Sequence, residues 1–259
     1  MTPRWDPDGP ARGEVALLHG VMALADTWWR IGPALAARGW HVAAIGLPGH
    51  GGDMRRDGAL DLDALADGVA ARLDGPIDLM VGHSLGAIVA LELLARDPAA
   101  ARAVVLEEPP GPGAIDLAAL AAVIAHDAGA VRDDRAPLVA REREANPRWD
   151  PGDVERSVRG IEEADSAAIV AALEGPLRWD LAALLAGVGV PALVLAAHDA
   201  PGTFPLDPGS ALRGADREAV RSALAPGRFV VLEGGHCLHR DDPQRWLEVV
   251  DAFARDALG

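Results

Sequence analysis

Apolar residues along the chain fall into short unbroken runs separated by segments with a helical period. Val15-Ala16-Leu17-Leu18, Trp40 to Leu47, Ile77 to Val81, Ala103 to Leu106, Ala192 to Leu195 and Arg228 to Leu232 have strand length and few polar positions. Such runs are expected of strands covered on both faces. Between them, Trp28, Ile31 and Leu35 recur at helical spacing, with Pro33 near the opening of the helix and Gly39 closing it. Leu60 to Leu73 and Leu85 to Arg96 repeat the helical pattern. A closing helix begins at Asp242-Pro243 and sets Trp246, Val250, Phe253 and Leu258 on one face. Strand and helix alternate, which predicts an α/β fold with a mainly parallel sheet and helices on both faces.

The alternation stops between residues 109 and 189. Leu117 to Ala128, Val154 to Glu163, Ala167 to Leu173 and Leu181 to Leu185 read as helices, and no convincing strand lies among them. Asp150-Pro151 and Asp165-Ser166 supply helix starts. The expected organisation is a core of residues 1–108 and 190–259, with 109–189 as a helical insertion.

Composition narrows the picture. The 259 residues suffice for one large domain with an insertion. No apolar run is long enough for a bilayer span, and the N-terminal residues lack the apolar core of a signal peptide, so a cytoplasmic protein is expected. Cys237 is the single cysteine, which excludes an internal disulfide and a multi-cysteine zinc site. A net charge of −15 argues against nucleic acid and anionic membrane surfaces as partners. It also argues against a strongly anionic substrate, unless a local arginine cluster overrides the global field.

Candidate chemistry centres on Gly82-His83-Ser84-Leu85-Gly86. A serine between glycines, where a strand turns sharply into a helix, reads as a nucleophile elbow. Side chains at 82 and 86 would collide with neighbouring backbone. A serine hydroxyl is a poor nucleophile near neutral pH, so it needs a base and an acid that orients the base. In chain order the acid precedes the histidine, and Asp199 and His236 each follow a predicted strand. Strand C-terminal ends are where open α/β sheets build their sites. Glu107 and Glu108 follow the strand after the nucleophile and are rivals to Asp199 as the acid, while His239 is a rival base. His19 and His50 are expected to brace loops, and the eight histidines show no metal-ligand spacing.

His19-Gly20 after the first strong strand, Leu47-Pro48-Gly49-His50-Gly51, the elbow, Asp199, and Gly235-His236 followed by Asp242-Pro243 together resemble the α/β-hydrolase superfamily. The resemblance implies a central sheet of about eight strands and a helical cap. It also implies Ser84 as nucleophile, His236 as base, Asp199 as orienting acid, and the backbone N–H groups of Val21 and Leu85 as an oxyanion hole, with no cofactor and no metal. Trp28, Trp149 and Trp179 are candidates to line an apolar pocket. The expected activity is hydrolysis of a small-to-medium, largely neutral carboxylic ester through an acyl-enzyme. Thioester hydrolysis, carbon–carbon bond cleavage and acyl transfer use the same machinery, and a non-catalytic ligand-binding protein on this fold is the alternative of another class. Serine rather than aspartate at position 84 argues against chemistry that needs an alkyl-ester intermediate.

Overall fold

The computed structural model describes residues 2–51, 59–199, 201–202, 204–205, 209–225 and 228–259. Seven strands among them form one sheet: β1 (Arg4–Trp5), β2 (Gly13–Leu18), β3 (Trp40–Ile45), β4 (Ile77–His83), β5 (Ala101–Glu107), β6 (Ala192–Ala196) and β7 (Phe229–Val231). The spatial order is β1-β3-β2-β4-β5-β6-β7, antiparallel at β1 and parallel throughout the rest. The resemblance implied about eight strands; the described residues supply seven, including the two-residue β1, which is too short for any periodicity to announce.

Eleven α-helices occur among the described residues. On the sheet lie α1 (Ile31–Ala36), α2 (Leu62–Ala70) and α3 (Leu85–Arg96). Between β5 and β6 come α4 (Leu117–Asp133), α5 (Ala136–Ala145), α6 (Pro151–Glu163), α7 (Ser166–Glu174) and α8 (Leu181–Ala186). The chain ends with α9 (Gly214–Ala223), α10 (Leu238–Asp241) and α11 (Pro243–Leu258). Several helix starts follow from single side chains. Asp150 and Asp153 form a reciprocal capping box ahead of Pro151, while Asp165 and Asp242 accept N–H bonds from the first turns of α7 and α11. The α5 and α9 stretches carry weaker sequence signals, since α5 buries one side chain, Leu138, and α9 buries Val220.

Strand alternation divides the core into two layers. Ala16, Leu18, Met80, Val104 and Val194 pack with α2, α3 and α8 on one face. Val15, Leu17, Leu79, Val81 and Leu193 pack with α1 and α11 on the other. The register aligns Leu18 with Gly82, His83 with Glu107, and Glu107 with Leu195. The C-terminal ends of four strands are thereby brought level.

Helices α4 and α7 pack apolar residues into the first of these layers, and α6 and the start of α7 add polar ties. Asp153 takes a bond from Trp29 Nε1 at 2.8 Å and an ion pair from Arg30 at 3.1 Å, and Asp165 N–H donates to the Gly49 carbonyl at 2.8 Å. No helix among the described residues is long and apolar enough to cross a membrane.

Positions 82 and 86 of the β4 to α3 turn tolerate nothing larger than glycine. A Cβ at Gly82 would lie 2.4 Å from the Gly86 carbonyl oxygen, and one at Gly86 would lie 2.5 Å from the Leu18 carbonyl oxygen. Both obstacles are backbone, so α3 would have to move away from β4 or from β2. Gly86→Ala is therefore expected to lower unfolding free energy by about 1–3 kcal/mol, the range typical of overpacking. Urea denaturation of the variant beside the parent checks this, and equal midpoints would contradict it.

Candidate active site

Ser84 sits at the junction of β4 and α3 with φ 52° and ψ −118°. A non-glycine residue there is strained, at a cost of roughly 1–3 kcal/mol. Two further non-glycine residues share a positive φ: Met22 at 57°, just past β2, and Glu108 at 50°, just past β5. Among the described residues, non-glycine strain of this kind thus falls at three strand ends around one point. Ser84 is buried yet lines a cavity of about 250 Å³, together with Val21, Met22, Trp149 and His236. A narrow apolar extension of about 30 Å³ runs past Leu85 to Leu173, Leu177 and Trp179.

His236 comes from the loop between β7 and α10. Its Nδ1 meets Glu108 Oε2 at 3.3 Å, and its own carbonyl accepts a bond from His83 Nε2 at 2.8 Å. The Glu108 carboxylate is fully buried. Its Oε1 accepts from Ala197 N–H at 2.6 Å and from Ser210 Oγ at 2.8 Å, and its Oε2 also accepts from Ala211 N–H at 2.6 Å. A carboxylate so held fixes the plane and the tautomer of the imidazole it faces.

The geometry differs from the expectation for Asp199. The carboxylate that meets His236 is that of Glu108, whereas Asp199 is exposed and accepts from Gly214 N–H at 3.4 Å. It borders a different cleft of about 520 Å³, with Pro201, Arg213 and Asp216. The physical reason lies in the segment after β6. It presents backbone to the site, through the Ala197 N–H, before its side chains turn to solvent. Glu108 could have been found by its place at the end of the strand beside the nucleophile strand, with Pro109-Pro110 behind it.

The other expected residues separate clearly. Val21 and Leu85 flank Ser84, and Leu85 is the first residue of α3, where a backbone N–H has no acceptor within the helix. Trp149 lines the main cavity, and Trp179 lines its apolar extension while donating Nε1–H to the Pro110 carbonyl at 2.8 Å. Trp28 is instead a core residue. It is fully buried with its ring 4.4 Å from that of His239 and 6.2 Å from that of Trp246.

Glu107 points to the opposite face from Glu108 and serves His239. It accepts from His239 N–H at 3.0 Å, from His239 Nδ1 at 2.8 Å and from Trp246 Nε1 at 2.9 Å. Burial pushes its carboxyl pKa up. His83, Glu107 and His239 also hold potential ligand atoms within 4.8 Å of one another, a grouping that linear spacing did not reveal. Both Glu107 oxygens already accept N–H bonds, so the cluster is satisfied as a hydrogen-bond network.

Residues 15–249 match the family model of the Alpha/beta hydrolase family. The chain belongs to that family. Over 93 residues it is 43% identical to a pimeloyl-[acyl-carrier protein] methyl ester esterase of Neisseria meningitidis serogroup B, covering 36% of this chain and 35% of the relative. Over 112 residues it is 38% identical to lipase LipV of Mycobacterium tuberculosis, covering 41% and 40%. The chain thus matches about a third of the length of the first of these relatives. Among solved structures, it is similar to a thermophilic esterase from Thermogutta terrifontis, with a TM-score of 0.72, 19% identity and coverage of 99% and 93%. It is likewise similar to the enol-lactonase of Burkholderia xenovorans LB400, with a TM-score of 0.72, 19% identity and coverage of 98% and 96%. At that identity the two structures show a shared fold.

Around the family loops, His19 and His50 brace backbone as expected. His19 Nδ1 donates to the Gly20 carbonyl at 2.8 Å while its Nε2 accepts from Leu47 N–H at 3.1 Å, and His50 Nδ1 donates to the Pro48 carbonyl at 3.0 Å. Burial drives their pKa values down, to about 3 for His19 and about 4 for His50. Burial also lowers those of His83 and His239 well below the ordinary value. The folded protein thus resists protons that the unfolded chain accepts below pH 6.5. The stability this represents is complete above about pH 6.5 and is lost as pH falls toward 4 and 3. Each such histidine steepens the dependence by up to about 1.4 kcal/mol per pH unit. Urea unfolding between pH 7 and pH 5, where most carboxylates stay ionised, should show falling stability. The slope should be shallower in His50→Asn, and an unchanged slope would contradict the assignment.

Proposed function

We propose that the protein is a serine hydrolase that cleaves a small-to-medium carboxylic ester through an acyl-enzyme intermediate. The observation that carries this reading is the strained Ser84 in one cavity with His236, whose ring is held by the buried carboxylate of Glu108. Ser84 Oγ attacks the ester carbonyl while His236 takes its proton, and the same proton then passes to the leaving alkoxide. Water, activated by His236, resolves the acyl-enzyme and releases the acid. Glu108 keeps the imidazole in the tautomer that accepts at Nε2 and stabilises the imidazolium that forms. The Val21 and Leu85 N–H groups meet the developing oxyanion, a contribution of roughly 3 kcal/mol per donor.

Residues 109–189 act in this reading as a cap over the serine, carrying Trp149 into the main cavity and Trp179 into the apolar extension. A space of about 250 Å³ with a thin apolar side arm suits a short acyl chain better than a long lipid. The curated relatives named for ester cleavage support the ester reading.

Two measurements test the proposal. Purified protein should hydrolyse p-nitrophenyl esters of short acyl chains and react with a fluorophosphonate probe at Ser84. The Ser84→Ala variant should do neither; a parent that neither turns over nor labels would sink the hydrolase reading. Glu108→Gln should lower kcat by at least about 100-fold, given what loss of the orienting carboxylate costs a serine triad. Asp199→Asn should stay within about threefold of the parent, and the reverse pattern would restore Asp199 as the acid.

A further inference from the structure

Two arginines line the cavity at Ser84, and their circumstances differ. Arg141 is neutralised, because its Nη1 and Nη2 donate to the two oxygens of buried Asp127 at 2.8 and 2.6 Å, with Glu142 at 3.5 Å. Arg240, on α10 four residues past His236, is only 5% exposed. Among the described residues its side-chain hydrogen bond goes to the neutral hydroxyl of Thr27. One face of its guanidinium lies on the Trp149 ring, 4.5 Å from the centroid, and its Nε–H is buried without an acceptor.

The acids nearby are committed elsewhere. Asp153 pairs with Arg30 and Trp29, and Asp241 accepts from Trp149 Nε1 at 3.1 Å and from Gly235 N–H at 2.6 Å. Glu142 accepts from Ser157 at 3.1 Å, and Glu107 is filled by His239 and Trp246. A buried guanidinium without an ion pair is costly, and such groups are ordinarily completed by a counter-ion. Because this one borders the substrate cavity, the counter-ion that fits is one the substrate brings.

We infer that Arg240 binds a carboxylate of the substrate, so that the ester cleaved at Ser84 is a half-ester or related acid with a free carboxylate elsewhere in the molecule. The inference rests on the serine-hydrolase reading and adds the substrate's charge class. It replaces the largely neutral substrate expected from the global charge with an anionic one, because a buried cation at contact distance outweighs distant surface acids. The planar guanidinium suits a carboxylate through paired N–H donors, and the Trp149 ring, itself tied to Asp241, keeps that plane fixed. The cavity volume leaves room for a short chain joining the two carboxyl groups.

The test compares monomethyl esters of linear dicarboxylic acids of four to eight carbons with methyl alkanoates of equal length, in the parent and in Arg240→Gln. The parent is expected to favour the anionic ester by at least tenfold in kcat/KM. Arg240→Gln should reduce that ratio at least tenfold, mainly through KM for the anionic ester, with fluorophosphonate labelling of Ser84 reporting that the variant's site is assembled. A parent that prefers neutral esters, or a ratio untouched by Arg240→Gln, overturns the inference and leaves the hydrolase reading standing. Absence of turnover on both series together with an unlabelled Ser84 overturns the hydrolase reading and the inference with it. Should Arg240→Gln fail to fold, inhibition of the parent decides. Adipate should compete at least tenfold more strongly than adipamide, and equal inhibition overturns the inference.

Discussion

A carboxylate with no exposure must find its hydrogen bonds inside the protein, and Glu108 finds them on three separate segments. Ala197 belongs to the end of β6, Ser210 and Ala211 to the stretch before α9, and His236 to the loop after β7. Cutting this carboxylate out would leave several donors buried and unpaired, each at a cost of about 1–3 kcal/mol. The same bonds hold Glu108 in its strained backbone conformation at φ 50°. The orientation of the histidine therefore depends on the end of β5, a strand that otherwise only completes the core. Ser84, on the neighbouring strand, is tied to the same strand end, since its N–H donates to the Glu107 carbonyl at 2.9 Å.

The adjacency of Glu107 and Glu108 shows how a period of two can assign opposite work to identical residues. Glu107 is the last residue of β5, in register with His83, and it faces α10 and α11, where His239 and Trp246 fill its oxygens. Glu108 faces the other side and reaches His236. Each acid thus orients a histidine. What distinguishes the two pairs is access: His236 borders the Ser84 cavity, whereas the His239 ring is packed against Trp28 and His83, and its Nε2 is buried without a partner. A base without a path to substrate has only a packing role, whatever its acid partner.

The strand ends, the glycine turn and the closing helix were legible because their signals are local. The Ala16 and Leu18 alternation, Gly82 and Gly86, and the Asp242-Pro243 cap all act within a few residues of themselves. Strand β1 was silent because two residues carry no period, and its pairing with β3 is a tertiary event. The carboxylate beside His236 was not legible for a different reason. Asp199 and Glu108 both follow strands, and nothing in a linear chain says which loop folds inward and which turns to solvent. Trp28 failed as a pocket residue on the same ground, since its distance from the oxyanion turn in sequence says nothing about which side of the turn it packs. Trp149 and Trp179 reached the site because the segments that carry them, just before α6 and α8, border it.

Charge shows the limit of composition most clearly. A total of −15 describes the average surface, and at physiological salt an exposed charge is felt over roughly 8 Å. Within the cavity the field is set instead by a handful of buried groups. Asp127 and Arg141 cancel, Asp153 and Arg30 cancel, and Arg240 is left against a hydroxyl and an indole face. Surface acids repel anions in bulk solvent, yet they act across a high dielectric, while the guanidinium acts at contact distance in a low one. The charge that a small molecule meets beside Arg240 is therefore set by groups at contact distance rather than by the sum over the chain. The acidic exterior bears on long-range encounters with other macromolecules. Which small molecule settles beside Ser84 is a separate question, answered by groups that composition cannot locate.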